Sequence, residues 1–372
     1  MKKVIVLGGY GNFGKRIVEN LARLENIAIY IAGRSEEKAK SCINGLSKTA
    51  KASLHPLVMD IYAAEFSNQL QEISPFLVIH TSGPFQGQNY TVPQSCIGAG
   101  AHYIDLADDR RFVCDITQLD GIAKENNVLA VSGASSVPGL ASTVVESYSS
   151  QFSELDAIDL AIAPGNKAER GLATVAAILS YTGHPISVFK SGSWQDAYGW
   201  MDSRINDFGG IVGKRHLANV DVPDLEIFPT RYNVKSRVSF QAGLELPILH
   251  NTMVAMAKLS KIGVVKSWAP LAKSIVATSN IFLPFGSDSG AMEILLTGTD
   301  IAGVSKKIKW TLYAPDGNGP YIPTLSTIIL AKKLISGELT NTGATPCVGL
   351  FTLTDFERYF NELGIFYTEE VE

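Results

Sequence analysis

Short apolar runs alternate, through the first third of the chain, with longer segments whose apolar residues recur every three or four positions. Continuous apolar runs predict strands buried on both faces of a sheet, and the longer spacing predicts amphipathic helices. Six strands are expected in this region: KVIVLGG (3–9), IAIYIA (27–32), LHPLVMD (54–60), FLVIHTSGPF (76–85), HYIDLAD (102–108) and VLAVSG (128–133). Because helical segments separate them, the pattern predicts an α/β fold with a doubly wound parallel sheet.

The pattern changes after the sixth strand. Polar and apolar residues alternate in ELDAIDLAIAP, SRVSFQAGLEL, AMEILLTG and KKIKWTLYAP, with helical segments between them. Such alternation and longer separations are typical of an antiparallel sheet with helices on one face. We therefore expect a first domain, an inserted α+β domain with a mostly antiparallel sheet, and a C-terminal return to the first domain, over residues 1–139, 140–318 and 319–372.

A glycine-rich turn, GGYGNFG, follows the first strand and precedes a helical segment. Gly9, Gly11 and Gly14 fit G-x-G-x-x-G, the turn of a Rossmann dinucleotide-binding domain. Gly9 would allow the tight turn, Gly11 the approach of a pyrophosphate, and Gly14 the close packing of helix on strand. The N–H groups at the helix start would face the anion. The predicted contact residues also include the three between these glycines: Tyr10, Asn12 and Phe13.

Arg34 stands where NAD-binding folds carry an acidic residue, about 20 positions beyond the glycines. A carboxylate there takes the ribose 2′-hydroxyl and would repel a 2′-phosphate, whereas a guanidinium binds the phosphate. Ser35 adds a hydroxyl. The stretch therefore predicts a preference for NADP over NAD. The alternative is that Arg34 is a solvated loop residue.

Further cofactor contacts are predicted where later strands end. Asp60 closes the third strand as a candidate adenine contact, or else as a turn or cap residue. The turn after the fourth strand, which includes Ser82, Gly83 and Pro84, is expected beside the nicotinamide half. His80, which lies in that strand, is predicted to be a packed residue rather than a catalytic base.

Serines and Pro138 open the segment SSVPGLASTVVESYSSQF (135–152). Serine caps with proline just inside the start predict a helix. Such a helix would begin near the carboxyl ends of the strands, where open α/β sheets bind ligands. Ser135 and Ser136 are therefore candidate contacts for an anionic group of a substrate.

Composition narrows the classes of function. A net charge of −4 without a basic patch gives no indication of nucleic-acid binding. The longest apolar stretch, residues 264–286, is broken by Lys266, Pro270 and Lys273, so no membrane span is expected. Four unpaired-looking cysteines indicate reduced thiols and a cytoplasmic location, and six histidines show no metal-ligand spacing. The sequence leaves a homo-oligomer open.

Four stretches together resemble the saccharopine dehydrogenase-like family of NADP-binding reductases, in its uncharacterised bacterial branch: GGYGNFG, AGRS, HTSGPFQGQNYTVPQSCIGAGAHYIDLADD and SGASSVPGLAS. The resemblance is strongest over residues 1–145. It implies a Rossmann domain, an inserted α+β domain, and NADP binding at Gly9, Gly11, Gly14, Arg34 and Ser35. It supplies no substrate, and no segment matches the carboxylate-reading pocket of the true saccharopine enzymes.

Chemistry would come from the cofactor, with the protein supplying one proton. Tyr103, Asp105 and Asp108 are candidate proton donors near strand ends; the alternative for the two acids is a helix cap or an ion pair with Arg110 or Arg111. The expected function is an NADP-dependent oxidoreductase that reduces a C=N or C=O bond of a small molecule. A noncatalytic NADP-binding redox sensor and a lipid-linked enoyl reductase remain as alternatives.

Overall fold

The computed structural model describes residues 1–372. The chain forms two compact units, and both are discontinuous in sequence. Met1–Gly139 and Tyr321–Leu350 make up the first unit, and Leu140–Pro320 and Phe351–Glu372 make up the second.

Sixteen strands and thirteen α-helices build these units. The strands are β1 (Lys2–Leu7), β2 (Ile27–Gly33), β3 (Ser53–Val58), β4 (Leu77–His80), β5 (His102–Asp105), β6 (Leu129–Ser132), β7 (Phe152–Ala163), β8 (Pro185–Lys190), β9 (Ser193–Tyr198), β10 (Arg204–Asp207), β11 (Lys214–Asn219), β12 (Arg237–Leu244), β13 (Gly290–Asp300), β14 (Ser305–Ala314), β15 (Gly343–Pro346) and β16 (Phe366–Val371). The helices are α1 (Asn12–Leu21), α2 (Glu36–Leu46), α3 (Phe66–Ile73), α4 (Thr91–Gly98), α5 (Arg110–Cys114), α6 (Asp120–Glu125), α7 (Ala141–Ser149), α8 (Leu172–Tyr181), α9 (Asp224–Arg231), α10 (Pro247–Lys261), α11 (Ala272–Ser279), α12 (Ile322–Ser336) and α13 (Leu353–Glu362).

The first unit is built on a parallel sheet of seven strands in the order β15-β6-β5-β4-β1-β2-β3. The predicted doubly wound sheet is confirmed. Its middle strands are apolar and buried; Val4, Ile5 and Val6 are fully covered. The order reverses at β1, which lies between β4 and β2. In such sheets the carboxyl ends of the strands on either side of this reversal form the ligand crevice, so the glycine turn after β1 lies where a dinucleotide binds.

The second unit is built on a mixed sheet whose main path is β10-β11-β12-β7-β13-β14-β16. Off this path, β8 pairs with both β12 and β9. Only β12 and β7 run parallel, so the predicted mostly antiparallel sheet is confirmed. Helices pack on this sheet: α7 lies against β7 and β13, α9 against β12, and α10 against β11 and β12. Ile158 and Leu160 of β7 are fully buried on one side, and Ala161 and Ala163 on the other side are buried as well.

One expectation about a segment end is wrong. Residues 351–372 do not return to the first unit, because β16 pairs with β14, with Phe366 opposite Tyr313 and Val371 opposite Ile308, and completes the second sheet. The segment that contains Pro138 forms a helical turn at Ser136–Leu140, broken only at Val137, which is extended (φ −128°, ψ 126°), and α7 continues from Ala141. None of the helices is both long and apolar enough to cross a bilayer.

Candidate cofactor-binding site

The turn after β1 is made by Gly8, which has a positive φ of 73°. The Gly9 N–H donates to Val6 O at 3.1 Å, and the Gly11 N–H donates to Gly8 O at 2.8 Å. A Cβ on Gly8 would lie 2.8 Å from the hydroxyl oxygens of Thr81 and Ser82. The tight turn therefore needs glycine at Gly8. The predicted position, Gly9, lies one residue later and does not have a positive φ.

Helix α1 begins directly on this turn. A Cβ on Gly14 would overlap the Gly8 carbonyl oxygen and stand 2.8 Å from the Gly9 Cα, so only glycine allows the helix to approach. Gly11 is the exposed N-cap, and no side chain caps the helix. The first N–H groups of an uncapped helix attract anions. The turn thus fits the pyrophosphate of a dinucleotide.

Arg34 follows β2 directly and is exposed. It makes no hydrogen bond or ion pair in the structure. Glu36, the nearest carboxylate in sequence, is held by Lys40 at 2.7 Å. The guanidinium is therefore available to an anionic ligand, as a 2′-phosphate contact requires.

Tyr10 links the glycine turn to the end of β2. Its hydroxyl accepts a hydrogen bond from the Ser35 N–H at 3.0 Å, and its ring lies over Gly33, where a Cβ would overlap it. Ser35 also caps α2, because its hydroxyl accepts from the Lys38 N–H at 3.3 Å. Tyr10 therefore holds the segment that carries Arg34 beside the turn that would hold the pyrophosphate.

The loop after β4 is organised by Gln88. Its amide nitrogen donates to Ser82 O at 3.0 Å and to Pro84 O at 2.7 Å, and its oxygen faces His80 Nε2 at 3.2 Å. Thr81 joins this loop to β1 by donating to Leu7 O at 2.8 Å. These contacts bring the predicted nicotinamide-side turn next to the glycine turn.

His80 is fully buried, and burial lowers the pKa of its ring to about 4. Because the Gln88 nitrogen already donates to two carbonyls, the Gln88 oxygen is the acceptor and His80 Nε2 carries the proton. The other ring nitrogen, Nδ1, accepts from the Ser82 N–H at 3.4 Å. His80 is thus a neutral, packed residue, the reading favoured by its place within a strand.

His80→Asn should flatten the pH dependence of stability in mild acid. The pKa of His80 falls from 6.5 to about 4 on folding, so the unfolded chain binds more protons between these values. Unfolding free energy therefore rises with pH across that window, by about 3 kcal/mol for this one group. Urea unfolding at several pH values measures the slope in both proteins. Parallel pH curves for wild type and variant would contradict this assignment.

Two of the three candidate proton donors are inaccessible. Tyr103 and Asp105 are fully buried. Asp105 Oδ1 accepts from the N–H groups of Ala107 and Gly133 at 2.9 and 2.8 Å and from the Ser132 hydroxyl at 2.9 Å. This carboxylate holds the turn after β6. Asp105 is neither a helix cap nor the partner of an arginine. The structure therefore gives it a structural role in place of the predicted proton donor and of both alternatives.

Asp108 is the accessible member of the three. It is partly exposed, and its Oδ1 accepts from Gln86 Nε2 at 3.1 Å. The next residue, Asp109, caps α5 by accepting from the Phe112 N–H at 2.8 Å. Asp108 is therefore the predicted proton donor that stays compatible with access by a substrate.

Asp105→Asn should change how stability varies with pH. Burial raises the pKa of Asp105 from 3.8 to about 6, so the folded state binds this proton more tightly than the unfolded state. Its contribution is present below pH 3.8 and is lost as pH rises through 6, a loss of about 3 kcal/mol. Asn keeps an acceptor oxygen and has no charge. Denaturation of both proteins is measured at mildly acidic and at neutral pH. As pH rises, the free energy of unfolding of the variant should increase relative to that of wild type. A difference that stays constant with pH would refute this prediction.

The remaining predicted contacts are placed as follows. Asp60 Oδ1 accepts from the Tyr62 N–H at 3.1 Å, which is the turn geometry named as its alternative. Ser136 is buried, and the Ser135 carbonyl accepts from the Ser326 hydroxyl at 2.8 Å. Ser136 opens the helical turn that leads into α7, and Ser135 directly precedes it. Their contact with an anionic group of a substrate stays a prediction.

Three organising residues were missed by the sequence reasoning: Gly8, Thr81 and Gln88. Gly8 was visible as the first glycine of the pair that precedes Tyr10. Thr81 and Gln88 act through contacts with backbone groups, which no sequence motif marks. The four cysteines are free, and no group of three or more His, Cys, Asp or Glu side chains is arranged to hold a metal.

Comparisons with known proteins agree with this geometry. Residues 4–131 match the family model described as the saccharopine dehydrogenase NADP binding domain. Apo histidine-tagged saccharopine dehydrogenase (L-Glu forming) from Saccharomyces cerevisiae has a TM-score of 0.71 at 10% identity, with 100% of both chains covered. At that identity the likeness shows the fold alone.

A protein of Caenorhabditis elegans named "Lipid droplet localized protein" is 28% identical over 144 residues. That match covers 36% of this chain and 34% of the relative, so it spans about a third of each. The expected family resemblance and the expected cofactor are both confirmed. Residues 4–131 of the first unit therefore match a saccharopine dehydrogenase NADP-binding domain, which supports NADP as the cofactor, in a chain that has the fold of saccharopine dehydrogenase.

Proposed function

We propose that this protein is an NADP-dependent oxidoreductase that reduces a C=N or C=O bond of a small molecule. The observation that carries the proposal is the exposed, unpaired Arg34 beside an uncapped glycine turn, within a domain of saccharopine dehydrogenase type. When bound, NADPH supplies the hydride for the carbon of the double bond. The four free cysteines support a cytoplasmic, reducing location.

The chain's own part is to hold the cofactor and to provide a proton for the nitrogen or oxygen of the reduced bond. Asp108 is the candidate for that proton because Tyr103 and Asp105 are buried. Burial also raises the pKa of the Tyr103 hydroxyl well above its ordinary value, which disfavours proton release. The turn at Ser82, Gly83 and Pro84 stays the proposed neighbour of the nicotinamide, and Ser135 and Ser136 stay candidate contacts for an anionic group of a substrate.

The test is transfer of deuterium from NADPH labelled at C4 of the nicotinamide. The protein is incubated with imines formed from amines and 2-oxo acids, with aldehydes and ketones, and with enoyl esters. Mass spectrometry of each product then shows whether one deuterium has reached carbon. Deuterium in a newly formed amine or alcohol supports the proposal, and Asp108→Asn should slow that transfer without weakening the binding of NADPH.

Two alternatives give other results in the same experiment. A redox sensor binds NADPH and transfers deuterium to none of the compounds. A reductase of lipid-linked enoyl groups places deuterium on a carbon of the former C=C bond; similarity to a protein named for lipid droplets makes it the second candidate. Either result would overturn reduction of C=N or C=O.

A further inference from the structure

A layer of helices in the second unit combines exposed apolar side chains with positive charge. We call it the basic layer; it comprises residues 171–184, which contain α8, and residues 247–286, which contain α10 and α11. Helix α8 packs against α11 and against the turn at Ala269–Leu271. A cluster that includes Leu179, Met253 and Ala257 forms its core, so the layer has a packed inner side of its own.

Helix α10 is buried along one side only, from His250 to Ser260. The other side is exposed at positions spaced three and four apart, which share one face of a helix. These positions are Ile248, Thr252, Ala255, Leu259 and Ile262. Four of these five residues are apolar, and the exposed Asn251 and Lys258 lie along the edge of the same face.

The apolar exposure continues beyond α10. Ile262 and Ile281 are 72% and 70% exposed, and Phe285 is 61% exposed. Further large apolar side chains stand out from the same layer: Leu172, Ile248, Val264 and Leu271. Single exposed apolar residues are common, but a series of this kind on one group of packed helices marks an interaction surface.

The charge of the basic layer is opposite in sign to that of the whole chain. The protein carries 36 acidic residues and a net charge of −4, yet neither 171–184 nor 247–286 contains an Asp or Glu. The exposed lysines of the layer are Lys258, Lys261, Lys266 and Lys273. None of the four forms an ion pair, and Lys261 lies over the Tyr198 ring at 3.9 Å.

We infer that the basic layer binds the surface of a membrane that contains anionic lipids. Apolar side chains such as Ile262, Ile281 and Phe285 would enter the boundary between headgroups and acyl chains, and the lysines would contact the anionic headgroups. A second copy of the chain fits less well. A twofold interface would place the same lysines on both sides, with no carboxylate in the layer to pair with them.

The experiment uses the full chain and vesicles in a flotation assay. The protein is expected to float with vesicles of phosphatidylcholine and phosphatidylglycerol and to stay behind with phosphatidylcholine alone, and added salt should release it. Changing Lys258, Lys261, Lys266 and Lys273 together to Gln should weaken binding about 600-fold, since each lysine near an anionic surface contributes about fivefold.

A second variant tests the apolar contribution. Ile262→Ser, Ile281→Ser and Phe285→Ser combined should weaken binding about 100-fold, because each side chain would lose its burial in the lipid. Matched controls change exposed residues of the same unit outside the layer, Lys190 and Lys235 to Gln in one protein and Ile301 and Val304 to Ser in another. Both controls should float like wild type.

Affinity for NADPH is measured in every variant and should not change, which separates this inference from the proposed enzyme activity, and an unchanged circular dichroism spectrum shows that the second unit keeps its fold. No flotation of the wild type, or equal flotation of the layer variants and the controls, would overturn it. A change of molar mass in light scattering caused by the layer variants, without any vesicle binding, would also overturn it and identify a second copy as the occupant.

Discussion

In Arg34→Ala, we expect NADPH to bind about 10- to 100-fold more weakly, while binding of NADH is unchanged. Arg34 is exposed and unpaired, so its guanidinium is free to make a charge-assisted hydrogen bond with a 2′-phosphate. Such a bond contributes about 1.5–3 kcal/mol, and about 1.4 kcal/mol corresponds to a factor of ten. Titration of the nicotinamide fluorescence with each cofactor measures both affinities.

Two further variants sharpen this test. Arg34→Lys keeps the charge but loses the planar fork, so it should recover part of the preference. Arg23→Ala removes another exposed arginine of the same unit and should leave both affinities unchanged. If the wild type binds NADPH and NADH with equal affinity, Arg34 does not bind the 2′-phosphate. It is then a solvated loop residue, which is the alternative given above.

In Gly14→Ala, we expect loss of NADPH binding and a fall of about 3 kcal/mol in the free energy of unfolding. The new Cβ would overlap the Gly8 carbonyl oxygen and would stand 2.8 Å from the Gly9 Cα, so the turn or the helix must move. Both obstacles are backbone atoms, which have no rotamer to change, and overpacking of this kind costs about 1–3 kcal/mol. Chemical denaturation and cofactor titration measure the two effects.

Gly45→Ala is the matched control for this prediction. Gly45 lies inside α2, and a Cβ there would meet no atom within 4 Å. Alanine stabilises an open helix position by about 0.5–1 kcal/mol relative to glycine. The same substitution should therefore act with opposite sign at the two sites. Equal stability of the two variants would show that α1 does not depend on contact with the glycine turn.

The parallel sheet could be predicted because its signals are local. Each strand such as β1 is a continuous apolar run, and each helix such as α1 carries its own apolar face. The placement of Arg34 beside the glycine turn was also predictable, since the distance along the chain from Gly14 determines it in this fold. These features depend on neighbours in sequence, which a single chain displays directly.

What was missed depends on contacts between residues distant in sequence. Asp105 looked like a possible acid until its acceptor role at Ser132 and Gly133 was visible. Strand β15 contains a proline and too few residues to carry a pattern, and it forms only by pairing with β6. The end of the chain joins the second unit because β16 pairs with β14. Such pairings depend on the packed structure, and the sequence shows no hydrophobic periodicity that would predict them.

The late position of β15 and β16 has a consequence for synthesis of this protein on the ribosome. Until residues 343–346 emerge, β6 is the edge of the first sheet, and until residues 366–371 emerge, β14 is the edge of the second. Exposed strand edges template pairing with other chains. Both sheets therefore stay open to aggregation until these strands have been made, and a chain that stops short of β16 leaves β14 as an unpaired edge. A chain cut before residue 366 should thus aggregate more readily than one that retains β16.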